Sequence, residues 1–257
     1  MSRVTHLNPW QELRQFTAAR IALGRAGNSL PTEEVLRFGV AHAQARDAVH
    51  QAFDAEALAR EIEALGLSTL AVHSAASDRA SYLRRPDLGR RLSQDSRAEL
   101  ASQTAVAGDI VFVVGDGLSS TAMHRHAAPL LAEAAPRLKD AGFTLAPVVL
   151  ASQARVALGD EIGELLAARC LVMLIGERPG LSSPDSLGIY LTWQPRVSRS
   201  DAERNCISNV RPEGLGYRDA AHKLCWLLQA ARERGLTGVG LKDESDRLPA
   251  PGGTAAG

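Results

Sequence analysis

The sequence predicts an α/β fold: an N-terminal helical region followed by a doubly wound parallel-sheet domain. Short, continuous apolar runs such as Ile110-Val111-Phe112-Val113-Val114 alternate with longer segments of helical spacing. That alternation describes parallel strands covered by helices on both faces. Ahead of the first such run, residues 1–66 carry only helical patterns. The α/β domain spans residues 67–244, and residues 245–257 form a Pro/Gly/Ala-rich tail without periodicity, expected to be disordered.

In chain order, Asn8-Pro9 supplies an N-cap and a first-turn proline for a helix from Trp10 to Leu23, closed by Gly24 and Gly27. Leu30-Pro31-Thr32 opens a second helix, with Val35, Leu36, Val40, Ala43 and Val49 at helical spacing. Asp54 caps a third, Ala55 to Leu65, stopped by Gly66. Leu67 to Val72 is the first strand, followed by helical and irregular pieces. The strand Asp109 to Val114 follows, bounded by Gly115. A long helix then runs from Thr121 to Lys139, with Met123, Ala127, Leu130, Leu131, Ala134 and Leu138 on one face. After it come a strand Thr144 to Leu150, a helix Gly159 to Ala168, strands Leu171 to Ile175 and Leu187 to Trp193, and a helix Tyr217 to Arg234. A short apolar stretch near Val239 ends the pattern.

The chain has 257 residues and 45% apolar content, enough for a substantial core. Lys+Arg and Asp+Glu are equal at 29 each, so no net basic charge is available to track nucleic-acid phosphates. Only Lys139, Lys223 and Lys242 are lysines, and arginine supplies the other cations. No run approaches the ~20 apolar residues of a membrane span. The first ten residues lack the apolar core of a signal peptide, so a cytoplasmic location is expected, with neither nucleic acid nor membrane as partner. Cys170, Cys206 and Cys225 are odd in number and show no C-x-x-C pattern.

Ligands of open α/β sheets bind beyond the carboxyl ends of the strands, and three loops occupy that edge. The first is Gly115-Asp116-Gly117-Leu118-Ser119-Ser120. Its glycines would let backbone approach a ligand, but a dinucleotide fingerprint needs Gly or Ala where Ser120 stands, and an acid ending the next strand. A plain strand-to-helix turn and a ligand loop are both open readings of it. A nicotinamide-dependent oxidoreductase is the alternative function this loop suggests. The second loop runs from Ser152 to Asp160. The third is Gly176-Glu177-Arg178-Pro179-Gly180, where Glu177 could accept hydrogen bonds from ligand amides or hydroxyls, pair with a neighbouring arginine, or cap a turn.

Asn205 to Gly214 reads as a polar, irregular run, and Cys206 within it as a small hydrophobe by default. His124 and His126, two apart on a helix, point to different faces and make a poor metal pair. H-E-x-x-H, G-x-S-x-G and Walker A strings are all missing. Arg84, Arg85, Arg90 and Arg91 flank a Pro-Asp turn, either as a solvated face or as a subunit interface.

Seven strings, taken in order, are similar to one family. They are Phe16-Thr17-Ala18-Ala19-Arg20-Ile21-Ala22-Leu23-Gly24-Arg25, Ala43-Gln44-Ala45-Arg46-Asp47-Ala48-Val49-His50, Tyr82-Leu83-Arg84-Arg85-Pro86-Asp87-Leu88-Gly89-Arg90, Gly115-Asp116-Gly117-Leu118-Ser119-Ser120, Arg155-Val156-Ala157-Leu158-Gly159-Asp160, Ile175-Gly176-Glu177-Arg178-Pro179-Gly180-Leu181 and Arg204-Asn205-Cys206-Ile207-Ser208-Asn209. Between about Pro9 and Glu244 the chain resembles the small (light) subunit of ethanolamine ammonia-lyase.

The resemblance implies a Rossmann-like domain that binds adenosylcobalamin together with a large, catalytic barrel subunit. In that family the paired subunits convert ethanolamine to acetaldehyde and ammonia by a radical mechanism and assemble into a higher-order hetero-oligomer. The resemblance also implies that Val156, Glu177 and Cys206 contact the cofactor, with no catalytic or metal-ligating residue in this chain. The Asp-x-His-x-x-Gly string of domains that put histidine on cobalt does not occur here, so the cofactor's own dimethylbenzimidazole is the expected lower ligand. Some relatives carry a longer N-terminal extension associated with a bacterial microcompartment. Here the helical pattern starts near Pro9, so plain cytoplasm is expected first and packaging second.

Overall fold

Period-two burial in the strands explains the architecture of the computed structural model, which describes residues 5–103 and 108–246. In β4 (Ile110–Gly115), Ile110, Phe112 and Val114 face one core while Val111 and Val113 face another. β5 (Val148–Ser152) and β6 (Cys170–Gly176) divide their side chains in the same way. A strand buried on both faces needs helices on both sides, and the chain supplies them.

β3 (Thr69–His73), β5, β4 and β6 are hydrogen-bonded in that spatial order, all parallel. The connection from β4 to β5 is α5 (Ser120–Asp140), which covers the first face together with α7 (Tyr217–Arg234). The connection from β5 to β6 is α6 (Leu158–Leu165), on the second face. The segment from β3 to β4, with α3 (Arg79–Arg84) and α4 (Gln94–Ser102), puts Leu92 and Leu100 on that second face too. Connections that leave adjacent strands toward opposite faces open a crevice at the strand ends.

The doubly wound α/β class is therefore present, with one departure from an all-parallel sheet. β7 (Leu187–Trp193) runs antiparallel to β6, and β8 (Arg204–Val210) antiparallel to β7. The expected irregular run beginning at Asn205 is this edge strand. Its polar residues Cys206 and Ser208 face outward and hid the strand pattern, while Ile207 and Val210 enter the core. α5 runs unbroken through Pro129 and Pro136, as its apolar face predicts.

The N-terminal region differs more. A helix was expected from Trp10 to Leu23. Only a short 3-10 turn, Gln11–Phe16, forms there, followed by extended chain that pairs β1 (Thr5–His6) with β2 (Arg25–Ala26). None of that turn's residues is buried, and a short helix without a packing face is marginal in water. α1 (Thr32–His50) forms as predicted, but Val35, Leu36 and Val40 are exposed and its buried residues are Glu34, Ala41 and Ala48. α2 (Ala55–Glu63) buries Leu58 and Ile62 in the first core. At the other end, Ser245 and Asp246, expected to open the disordered tail, are bonded to Lys223 Nζ at 3.1 and 2.7 Å; the rest of the tail, residues 247–257, lies outside the described residues. Among the described residues no helix is long and apolar enough to cross a membrane.

One buried ion pair ties the antiparallel edge to the parallel sheet. Arg204, the first residue of β8, donates to both carboxylate oxygens of Asp160 on α6, at 2.6 and 2.7 Å. Both side chains are almost fully buried. Arg204 also donates to Thr192 Oγ1 on β7 at 3.1 Å and to the Arg199 carbonyl at 2.8 Å. Burial pushes the Asp160 carboxyl up, and the guanidinium opposes that; burial works against the Arg204 charge, but the bonds and charges of Asp160 and Asp201 together outweigh burial and hold it charged. Removing one member of such a pair strands a buried charge, at a cost of about 3–5 kcal/mol, whereas replacing both with apolar groups costs far less. Arg204→Ala is therefore expected to lower the unfolding free energy of the full chain by about that amount in urea titration. The Asp160→Leu/Arg204→Met double variant is expected to lose less than Arg204→Ala alone.

Candidate functional site

Beyond α6 the second face of the sheet is not covered in the way the four parallel strands are. Gly188, Tyr190 and Thr192 of β7 point to that side, as does Cys206 of β8, while Leu187, Ile189, Leu191 and Trp193 point into the first core. Tyr190 is half-buried and Cys206 exposed. Here the strand-end loops and the bare edge of the sheet form a cleft of about 420 Å³, walled by Gly117, Leu118, Arg155, Val156, Glu177 and Tyr190 among others.

Val156 lies in the turn between β5 and α6, half-buried against the second core. Glu177 directly follows β6. Its two carboxylate oxygens accept from the Asn209 backbone N–H, each at 3.3 Å, so Glu177 reaches the far end of β8. Among the described residues no arginine forms an ion pair with it. Cys206 stands directly opposite Tyr190 in the β7–β8 register, and their side chains meet. Burial of the sulfur, then the Glu177 charge, push the Cys206 thiol up despite the Tyr190 contact. A thiol held protonated is not a nucleophile. Burial and the neighbouring Cys206 and Glu177 push the Tyr190 hydroxyl up to about 12. Val156 and Glu177 thus share one wall, and Cys206 adjoins it one strand over.

The glycine-rich first loop belongs to the same cleft through Gly117 and Leu118. It interlocks with the end of β6: the Leu118 N–H donates to the Gly176 carbonyl at 2.9 Å. Gly117 has φ +55°, and a Cβ there would lie 2.3 Å from the Gly176 oxygen. A Cβ on Gly176 would lie 2.1 Å from the Ser119 carbonyl oxygen. Only glycine permits this approach.

Asp116 of that loop is turned inward. It is buried and accepts from the Ala154 N–H at 2.9 Å, and Arg79 Nη1 lies 3.3 Å away. Burial pushes its carboxyl up, and those donors pull it back. The Arg79 and Arg155 guanidiniums lie over the fully buried Tyr82 ring, at 4.7 and 4.3 Å from its centroid, and its hydroxyl donates to the Ala154 carbonyl at 3.0 Å. Asp116, Arg79 and Tyr82 thus pack against the ends of β4 and β5, and Tyr82 also lines the open cleft, which the loops after β4, β5 and β6 wall.

Sequence reasoning missed Tyr190 and Tyr82. Tyr190 is the half-buried position of an otherwise buried strand, but its importance depends on β8 being a strand. The histidines behave differently from one another: His124 Nε2 accepts from the Asp54 N–H at 3.0 Å, and buried His126 meets the Tyr217 hydroxyl at 2.8 Å. Among the described residues no group of three or more His, Cys, Asp or Glu could hold a metal ion. Arg84, Arg85, Arg90 and Arg91 are all exposed.

A family model described as "Ethanolamine ammonia-lyase light chain (EutC)" matches residues 7–242. The chain is 58% identical over 241 residues to the ethanolamine ammonia-lyase small subunit of Xanthomonas campestris pv. campestris, covering 93% of this chain and 89% of that one. It is 58% identical over 243 residues to the small subunit of Ralstonia nicotianae (93% and 90% covered) and 57% identical over 242 residues to that of Pseudomonas putida (93% and 89%). The nicotinamide oxidoreductase is correspondingly not favoured: the chain belongs to the ethanolamine ammonia-lyase small-subunit family.

Proposed function

We propose that this chain binds adenosylcobalamin jointly with a large barrel subunit, as the small subunit of an ethanolamine ammonia-lyase that converts ethanolamine to acetaldehyde and ammonia. Val156, Glu177 and Cys206 are the proposed cofactor contacts. The observation that carries this reading is that Val156 and Glu177, distant in sequence, wall one open cleft, with Cys206 paired to its Tyr190 on the next strand.

The donor set suits a corrinoid. Its periphery offers methyl groups, amide side chains and a nucleotide with sugar hydroxyls. Val156 and the Tyr190 ring supply apolar surface, Glu177 an acceptor, and Arg155 and Arg178 donors. Arg155 Nε is buried without a partner of its own, an unmet donor that a ligand carbonyl or phosphate oxygen would satisfy. A site enclosing a drug-sized ligand spans about 300–1,000 Å³, and a corrin with its nucleotide is larger. A cleft of about 420 Å³ can hold one edge of it, leaving the rest to another chain.

The bound cofactor would supply radical chemistry through homolysis of its cobalt–carbon bond. This chain's part is binding and orientation. Glu177, braced by the Asn209 amide, would fix an amide or hydroxyl; Val156 would pack against the ring edge; Cys206 would fill the space beside Tyr190 as a small neutral group.

The N-terminal arm supports a protein partner. Nine large apolar side chains between Leu7 and Val40 are exposed, among them Trp10 at 67%, Phe16 at 78% and Leu36 at 64%. Exposed apolar surface on this scale marks an interaction site. A higher-order hetero-oligomer and a cytoplasmic location, with microcompartment packaging as the alternative, belong to the same proposal.

Two outcomes are expected. The purified chain supplied with cofactor and ethanolamine releases no acetaldehyde, and adding the large subunit restores release; acetaldehyde from the chain alone contradicts the reading. Glu177→Ala weakens corrinoid affinity of the complex about 3- to 10-fold, the size of one lost hydrogen bond, with the elution volume of the complex unchanged. Unaltered affinity would remove Glu177 from the site.

A further inference from the structure

The cofactor cleft continues into a groove of about 500 Å³ that shares Arg155, Val156 and Tyr190 with it and is walled further along by Arg90, Arg199 and Arg204. Two of these guanidiniums are committed to the fold. Arg204 is held by Asp160, and Arg199 is bound to Glu203 and to the Trp193 and Gln194 carbonyls. The other two have donors to spare. Arg155 is stacked on Tyr82 with only a 3.4 Å bond from Nη2 to the Tyr82 carbonyl, and its buried Nε has no partner. Arg90 is exposed, with no side-chain ion pair or hydrogen bond among the described residues.

The backbone holds this pair together. The Arg155 N–H donates to the Gly89 carbonyl at 2.8 Å, next to Arg90. The Arg155 stem lies on Gly89 so closely that a Cβ there would be 2.9 Å from Arg155 Cγ and 3.0 Å from the Tyr82 ring. The loop 88–90 and the turn at 155 are therefore fixed to each other by a contact that a side chain at 89 would break. The groove's one exposed carboxylate, Asp201, is engaged by Arg204 Nε at 3.3 Å. What is left over is positive charge with oriented N–H donors, directly continuous with the apolar wall at Val156 and Tyr190. Arginine forks of this kind match phosphate oxygens.

We propose that Arg90 and Arg155 bind the phosphodiester that links the corrin's side arm to its nucleotide. This rests on the cobalamin reading above and deepens it, giving the cofactor a directional fit: corrin edge on Val156, Glu177 and Tyr190, phosphate on the two arginines. It also gives the Tyr82-to-Arg90 segment a reason to lie where it does.

The test compares cyanocobalamin with dicyanocobinamide, which keeps the corrin and lacks the phosphate, ribose and base. Binding to the assembled small–large subunit complex is followed by equilibrium dialysis. The unaltered complex is expected to bind cyanocobalamin at least 10-fold tighter than dicyanocobinamide. Arg90→Gln is expected to weaken cyanocobalamin binding on the order of 10-fold, the scale of a charge-assisted hydrogen bond, and to leave dicyanocobinamide binding unchanged; Arg155→Gln, whose guanidinium also lines the corrin cleft, is expected to weaken cyanocobalamin binding by more than it weakens dicyanocobinamide binding. Arg90→Gln, at an exposed position, guards against a folding defect in Arg155→Gln. Equal loss for both corrinoids, or no loss for either in the Arg90 variant, overturns the phosphate assignment while the corrin cleft stands. If the unaltered complex binds neither corrinoid, the cobalamin reading fails and this site with it.

Discussion

The bidentate contact between Asp160 and Arg204 is the constraint on which the site depends. Asp160 sits in the first turn of α6, four residues after Val156, and Arg204 opens β8, two residues before Cys206. Joining them fixes the turn that carries Val156 relative to the strand that carries Cys206. Thr192 lies in the same contact and brings β7, and so Tyr190, into the arrangement. A buried pair costs desolvation that its own attraction barely repays, so its value lies in specifying one arrangement over others. Here the arrangement is the docking of an antiparallel edge onto a parallel sheet, which continuous apolar strands alone would not determine.

Asp116 does the corresponding work on the other side of the cleft. It draws together the ends of β4 and β5 and the start of α3 through Ala154 and Arg79. Tyr82 lies under the Arg79 guanidinium and lines the cleft. The cleft lies at the ends of β4, β5 and β6, with Tyr190 of β7 in its wall. A site built this way is open on one side, as the proposed sharing of a large cofactor with a partner requires.

Much of the sheet was legible because strands such as Cys170–Gly176 are apolar on both faces and flanked by amphipathic helices. β8 was not, since its outward residues are polar and the side that carries Cys206 is bare. The helix expected between Trp10 and Leu23 failed for the converse reason: among the described residues, Trp10, Leu13 and Phe16 remain exposed, with no core to pack against. Asp160 and Arg204 both stand in strings that marked the family, yet 44 residues apart nothing in the strings says that they pair. Val156, Glu177 and Cys206 came from resemblance, because a valine in a turn, an acid after a strand and a lone cysteine each have ordinary structural explanations. Tyr190 and the two free arginines could be recognised only once pairing and burial were known.

The central claim is that the turn at 152–157, the loop at 176–178 and the strand at 204–210 act as one corrinoid surface. Hydrogen–deuterium exchange of the assembled complex, with and without cyanocobalamin, tests it most directly. The account predicts that amides in all three segments gain protection together on ligand addition, while the opposite face, including α7, does not change. Protection confined to one segment, or centred on α5 and α7, would contradict it.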